Sequence, residues 1–515
     1  MIGAAPQYSN YGGTTTPIKH LVVIFQENVS FDHYFGTYPN ALNLAGEQPF
    51  HAAPGAPTVN GLGPALLTHN PNLNGANLTG ATNPFRLSPS QASTADQDHD
   101  YTPEQQAFDG GQMDLFPLNT GAGGTGTPPV FNTTGLVMGY YDGNTVTAYW
   151  NYAQNFAMSD NSYDTNFGPS IPGALNLVSG QTNGAIDNEN GTGSLVGDGN
   201  GGYTVNSDAD PLGDVCSTAT GEKFSMGGQS IGDLLNDKGI TWGFFEGGFD
   251  LSVTNANGTT GCSRSTTSAV TAINKKDYIP HHQPFQYYAS TANPTHARPA
   301  SIEEIGHSGP ANHQYDIHDF FDAVKRGNFP ALSFLKAPGY QDGHAGYSDP
   351  TDEQTFVVNV INFLQQTPEW QSTAVVIAYD DSDGWYDHQM SPIVNRSATA
   401  ADSLSAVGSC GTGGSATTLP GISAPNAQGR CGYGPRLPFL VISPFARRNF
   451  VDHTTTDQSS IIRFVEDNWL EGQRIGGGSF DAIAGPINNM FDFSHCRERD
   501  GYLFLNPTTG APAYR

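Results

Sequence analysis

The strongest constraint on this chain is a set of short, unbroken apolar runs at residues 21–25, 241–245, 332–335, 374–379 and 439–442. Each has the length of a strand, and none alternates apolar with polar side chains. Each therefore predicts a strand covered on both faces. Helical patterns lie between them. Residues 230–238 carry Ile231, Leu234 and Leu235 and stop at Gly239. Residues 352–366 place Phe356, Val357, Val360, Ile361 and Leu364 at helical spacing, and 459–470 do the same with Ile461, Ile462, Phe464, Val465 and Trp469. Strand, helix and strand in turn predict an α/β fold with a mostly parallel sheet and crossover helices. No period of about 20–50 residues repeats, which excludes solenoids and propellers. Polar stretches near 41–98, 187–222 and 398–434 are too long for simple connections, and are expected to be loop insertions forming lids, substrate walls or a cap.

Charge narrows the partners. The 515 residues hold 48 Asp plus Glu against 21 Lys plus Arg, a formal net charge of −27. A polyphosphate backbone or an anionic bilayer would be repelled, so the expectation is no nucleic acid. The longest apolar run, 374–379, is far too short to cross a bilayer. An aromatic content of 11% needs a packed core and excludes disorder. Residues 1–6 have neither the basic stretch nor the apolar centre of a secretory signal, which at face value reads as cytosolic. Scarce Lys and abundant Asn, Thr, Ser and Gly read instead as a secreted or periplasmic protein whose signal has been removed. Of the five cysteines, Cys216 and Cys262 bracket one irregular stretch and Cys410 and Cys431 a Gly/Ser/Thr/Ala-rich one. No CxxC spacing occurs, which argues against a zinc–thiolate site. Two loop-stapling disulfides with Cys496 left over are expected, and five buried free thiols are the alternative.

In open parallel sheets ligands bind beyond the carboxyl ends of the strands. After the run 21–25 come Gln26, Glu27 and Asn28; after 374–379 come Asp380, Asp381, Ser382 and Asp383. Carboxylate and amide oxygens of this kind suit a hard divalent cation, although one acidic strand end by itself is usually a solvated turn. His99, His281, His282, His344 and His388 all sit in Gly/Pro/Asp-rich loops and suggest one shared pocket, where imidazole would bind an anion or protonate a leaving group. Ser170, in the segment Gly168-Pro169-Ser170-Ile171-Pro172-Gly173, stands at a helix start. It is a nucleophile candidate, with a plain N-cap serine as the bland alternative.

These residues resemble a known family. Ile18 through Asn28 (Ile-Lys-His-Leu-Val-Val-Ile-Phe-Gln-Glu-Asn), followed by Ser30-Phe31-Asp32-His33-Tyr34-Phe35-Gly36, is similar to the opening signature of the bacterial phospholipase C / acid phosphatase superfamily of phosphoesterases. Asp98-His99, Gly111-Gln112-Met113-Asp114, Phe167-Gly168-Pro169-Ser170, His281-His282-Gln283-Pro284-Phe285, Gly343-His344, Tyr379-Asp380-Asp381-Ser382-Asp383-Gly384 and Ser443-Pro444-Phe445 continue the likeness in one order. The resemblance implies an alkaline-phosphatase-like fold, with a mixed, mostly parallel sheet between helices, in one phosphoesterase domain over 1–515. It implies one divalent metal (Ca, Mg, Mn or Fe) held by Glu27, Asn28, Ser170, Asp380 and Asp381. It also implies a nucleophilic Ser170, with His99, His281, His282 and His344 around the phosphoryl group and Asn28, His99, His282 and His344 binding substrate.

The expected reaction is monoester hydrolysis through a phosphoserine, with His344 or His282 protonating the leaving alkoxide and an acidic optimum. The substrates are small phosphate esters or, in the alternative, phospholipid head groups cleaved by a phospholipase C. A serine rather than threonine nucleophile and the Asp-Asp-Ser-Asp-Gly motif tilt the reading to the acid phosphatase branch, as does a signature running nearly to the last residue. A non-catalytic secreted metal-binding module is the third reading. Substrate charge is expected to be met by one metal and several histidines, not by Lys or Arg. One position departs from the pattern: Gly173 stands where the family usually has Asn.

Overall fold

Every side chain from Leu21 to Phe25 and from Thr373 to Tyr379 is buried. Successive strand side chains point to opposite faces, so both faces of the sheet they build are covered. The computed structural model describes residues 13–121, 130–411, 426–494 and 501–513. Its main sheet has eight strands: β1 (His20–Gln26), β2 (Ala157–Ser159), β3 (Trp242–Glu246), β4 (Gln314–Asp316), β5 (Leu332–Lys336), β6 (Thr373–Tyr379), β7 (Phe439–Ile442) and β8 (Phe450–Asp452). Their spatial order is β4-β3-β5-β1-β6-β7-β2-β8. All neighbours pair in parallel except around β7, which runs antiparallel to both β6 and β2. The mixed, mostly parallel sheet is thus the one expected.

Helices α1 (Tyr101–Phe108), α2 (Thr147–Asn155), α3 (Ser170–Ser179), α4 (Ile231–Lys238), α5 (Pro350–Leu364) and α6 (Ser459–Trp469) surround it. Two packed groups supply the cover: α3 against α4 and α6, and α2 against α5. Helix α4 starts and stops where its sequence says. Ser230 and Asp233 form a capping box, and Gly239 takes the left-handed conformation that closes the last turn. Helix α5 begins earlier than its apolar spacing suggests, because the Asp349 carboxylate accepts from the N–H groups of Thr351 and Asp352 and Pro350 fits the first turn.

The stretch near 187–222, expected as a loop insertion, is mostly loop but carries strands as well. Leu195–Gly197, Tyr203–Val205, Asn183–Glu189, Lys223–Met226 and Asp210–Pro211 form a second, five-stranded sheet in that spatial order. These strands are short and polar, and apolar runs could not reveal them. Described parts of the stretches near 41–98 and 398–434 pack beside α1, where Leu62, Tyr101, Phe108, Phe116, Phe167 and Leu404 share one apolar cluster with Cys410 and Cys431. Cys216–Cys262 and Cys410–Cys431 are both disulfide-bonded, as expected. Cys496 and residues 412–425 lie outside the described residues.

Candidate functional site

In the parallel pair β1–β6 the register sets Gln26 opposite Tyr379, so Glu27 and Asp380 leave the sheet side by side. The two strand ends are then stitched together. The Asn28 N–H donates to Asp380 Oδ1 at 3.0 Å, and the Val29 N–H donates to the Asp381 carbonyl at 2.9 Å. Asp381 N–H also donates to Asp380 Oδ1 at 2.8 Å, and Asp383 N–H to Asp381 Oδ1 at 2.6 Å. Asn28 and Asp383 both take left-handed backbone conformations, with φ of 60° and 53°. Asn and Asp tolerate that region best among residues with a side chain.

The third component is the start of α3. Its first turn presses directly on the end of β6: a Cβ added to Gly173 would lie 1.9 Å from the Asp380 carbonyl oxygen. The Gln458 amide donates to that same carbonyl at 2.5 Å. The space an asparagine would need at 173 is thus filled by backbone. This close approach brings Ser170 Oγ to 3.2 Å from both Glu27 Oε2 and Asp381 Oδ2. The Ile171 N–H at the same helix start is already taken, by Asp208 Oδ1 at 3.0 Å.

The donor set fits a cation. Asn28 Oδ1 and Asp380 Oδ2 are buried with no hydrogen-bond partner, and a single hydroxyl proton cannot serve the two carboxylates that flank Ser170. With Glu27 Oε2, Asp381 Oδ2 and Ser170 Oγ they are oxygen donors of the type that hard divalent cations prefer. Burial and the neighbouring carboxylates hold Asp380 well above the usual carboxylate range, and burial pushes Asp381 to about 7. Burial would raise Glu27 too, but His282 and Lys336 beside it hold it well below. Three carboxylates packed this closely call for positive charge.

The histidines arrange themselves around this cluster. His99 Nε2 lies 3.3 Å from the Asn28 amide nitrogen, and its Nδ1 2.9 Å from the Gln97 carbonyl. Its ring meets His344 edge-on at 5.9 Å. His282 Nδ1 is 3.4 Å from Glu27 Oε1, and its ring meets His281 at 4.7 Å. His281 Nδ1 is 3.5 Å from Asp210 Oδ1 on the second sheet. Burial favours the neutral ring in all four. It is overridden at His99 by Asp381, Asp383 and Asp96, and at His281 by Asp210 and Asp208, so these two are raised. His282 and His344 are lowered.

Two expectations need correction. His388 does not join the cluster: its Nδ1 pairs with Asp32 Oδ2 at 2.6 Å, and Asp32 and Asp387 are both paired with buried Arg436. The loop after Asp383 has by then turned away to complete that separate network. Nor are the cations of the site histidines alone. Lys336, the last residue of β5, is buried against Glu27 and stands 3.8 Å from Asp380 Oδ2. Lys275 Nζ sits 3.3 Å from the centroid of the Tyr347 ring, which itself stacks on His344 at 4.4 Å. The sequence carries a signal for Lys336. The run 332–335 ends on it just as 374–379 ends on Asp380, and the same rule points to Glu246, the last residue of β3, paired in register with Lys336. No such pattern marks Lys275, which lies on the short polar strand Asn274–Lys276.

The sequence matches the model of the Phosphoesterase family over residues 18–470. A non-hemolytic phospholipase C of Burkholderia pseudomallei (strain K96243) is 23% identical, over 94% of this chain and 60% of its own length. A non-hemolytic phospholipase C of Pseudomonas aeruginosa is 25% identical, over 96% of this chain and 59% of its own. Phospholipase C A of Mycobacterium tuberculosis (strain ATCC 25618 / H37Rv) is 24% identical over 94% and 78%. The chain therefore spans about 60% of the length of the first two relatives. Among solved structures, murine ectonucleotide pyrophosphatase / phosphodiesterase 5 aligns with 11% identity and a TM-score of 0.32, over 67% of this chain and 95% of that one, a likeness too distant to argue from.

Proposed function

Because this chain belongs to the Phosphoesterase family, we propose that it hydrolyses phosphoric esters, with Ser170 as nucleophile in a site built for one divalent metal. The observation that carries the reading is the position of Ser170 Oγ, 3.2 Å from an oxygen of each of two buried carboxylates. Glu27, Asn28, Ser170, Asp380 and Asp381 would hold the metal, with Ca, Mg, Mn and Fe(II) all compatible with oxygen donors. Bound there, it would supply positive charge to the serine oxygen and to the phosphoryl group.

Ser170 Oγ attacks phosphorus as its proton passes to a flanking carboxylate, and the ester P–O bond breaks. The leaving alkoxide takes a proton from a cationic imidazole. His281 suits this role better than His344 or His282, because the carboxylates of Asp210 and Asp208 raise its pKa against burial and its side chain is 29% exposed. Water then attacks the phosphoserine, releasing orthophosphate and restoring the hydroxyl. His99 and Asn28 orient the non-bridging oxygens, since positioning and electrostatics do most of the work in phosphoryl transfer.

Phosphate monoesters are the substrates we favour: charged His99 and His281 with Lys336 and Lys275 form a cationic setting suited to a dianion. Phosphodiester cleavage is the second reading, favoured by the names of the phospholipase C relatives, which match nearly the whole chain. An exported protein suits the two disulfides, and no helix among the described residues is long and apolar enough to cross a membrane. The test is Ser170→Ala, assayed with 4-nitrophenyl phosphate, nucleotides and 4-nitrophenyl phosphorylcholine. We expect turnover of the preferred substrate to fall at least about a thousandfold with the fold intact. Near wild-type rates would remove Ser170 from the mechanism, and the preferred ester decides between the two readings.

A further inference from the structure

Lys336 divides the two oxygens of Glu27. The ammonium is 1% exposed and pairs with Glu27 Oε1, which also faces His282 Nδ1 at 3.4 Å. Oε2 is left for Ser170 Oγ at 3.2 Å. The lysine is fixed from every side. It ends β5, immediately beside β1, and lies 5.2 Å from the centroid of the Phe25 ring. Asp380 Oδ2 is 3.8 Å away, and Glu246 stands opposite in the register of β3. A carboxylate free to rotate could turn both oxygens to a cation or neither toward the serine. One held by a buried cation has a single oxygen to give.

Resting on the reading of Ser170 and its oxygen cluster given above, we infer that Lys336 is a positioning residue that locks Glu27 Oε1, so that Oε2 alone serves the nucleophile and the metal. A second consequence follows from charge. A permanent cation beside two metal ligands weakens the attraction of the cluster for a dication. Removing it should strengthen that attraction by more than the 10–100-fold that misorientation of a ligand typically costs. A lysine placed for orientation therefore holds metal affinity down while holding turnover up.

The experiment uses the full chain, with Mn²⁺ as probe. Lys336→Met keeps the stem and removes the charge. By titration calorimetry at pH 8 we expect Mn²⁺ to bind at least about tenfold more tightly. The loaded variant should lose about 100-fold in kcat on the preferred aryl phosphate, with KM within about threefold. In a Glu27→Gln background the same change should give no further loss of turnover, because its target is gone. A merely structural lysine would weaken Mn²⁺ binding and turnover together; that outcome, or an unchanged kcat, overturns the inference. Should Lys336→Met not fold, Lys336→Arg carries the test. The charge is retained, so Mn²⁺ affinity within about threefold of wild type supports the inference, and a tenfold or greater change overturns it. Failure of the underlying reading looks different: wild type would bind no Mn²⁺, or Ser170→Ala would keep its turnover.

Discussion

Burial lowers the pKa of His282 and His344, but at His99 and His281 neighbouring carboxylates override it and raise the pKa. The difference lies in what each faces. Asp210 accepts from His281 and Asp208 adds to its field, whereas His282 is pressed between Lys336 and His281. A ring whose pKa is raised is fully protonated below the ordinary ~6.5 of histidine and loses its proton only as pH climbs through the raised value. If His281 delivers the proton to the leaving group, kcat/KM should fall on that alkaline side. Asp210→Asn removes the partner that raises His281, so the falling limb should move to lower pH. A pH–rate profile of both proteins on 4-nitrophenyl phosphate decides it, and an unmoved limb assigns the proton to another group. Linkage bounds the same pair: Asp210–His281 adds stability between the lowered pKa of the carboxylate and the raised pKa of the imidazole, and loses it as pH rises through the latter or falls through the former. At this scale the sequence was readable wherever a side chain follows an apolar run or repeats a family motif, as Glu27, Asn28, Asp380 and Asp381 do. It was silent on charge state, because the partners that set it, Asp208, Asp210 and Asp96, lie on segments with no pattern of their own.

Helix α3 lies hard against the end of β6, an approach made possible at Gly173. A methyl there would meet the Asp380 carbonyl at 1.9 Å and the Gln458 amide nitrogen at 2.8 Å. The helix would have to lift away, carrying Ser170 with it. Alanine gains about 1 kcal/mol over glycine inside a helix. Overpacking typically costs about 1–3 kcal/mol, or more where the obstacle is backbone. Gly173→Ala should therefore be destabilised by roughly 1–2 kcal/mol, with turnover reduced far more than that loss explains. Chemical denaturation and single-turnover rates on the same preparation would check it, and full activity would show that α3 can shift without consequence. Elements of this kind were legible in proportion to their hydrophobicity. The five central strands declare themselves as short, mainly apolar runs that do not alternate. Ala157–Ser159 and Phe450–Asp452 are too short to do so, and the second sheet is too polar.

For the whole molecule, −27 spread over 515 residues opposes the approach of any anion, while the cations of the site are few and at most part-exposed. Salt shortens the reach of that field from about 30 Å at 0.01 M to about 8 Å at 0.15 M, and acts far less on buried pairs. Across that range kcat/KM for a dianionic monoester should rise about two- to fivefold. A zwitterionic phosphorylcholine ester should respond little. A decline with salt would mean that the local cations, not the surface, govern encounter. The order of the sheet has one more consequence, which concerns time. β1 emerges first, yet its neighbours β5 and β6 follow roughly three hundred residues later, and Glu27 and Asp380 meet only when both have docked. Contacts this distant along the chain form late. The polypeptide therefore remains chemically inert through most of its own synthesis, and the appearance of activity marks the moment at which the sheet is closed.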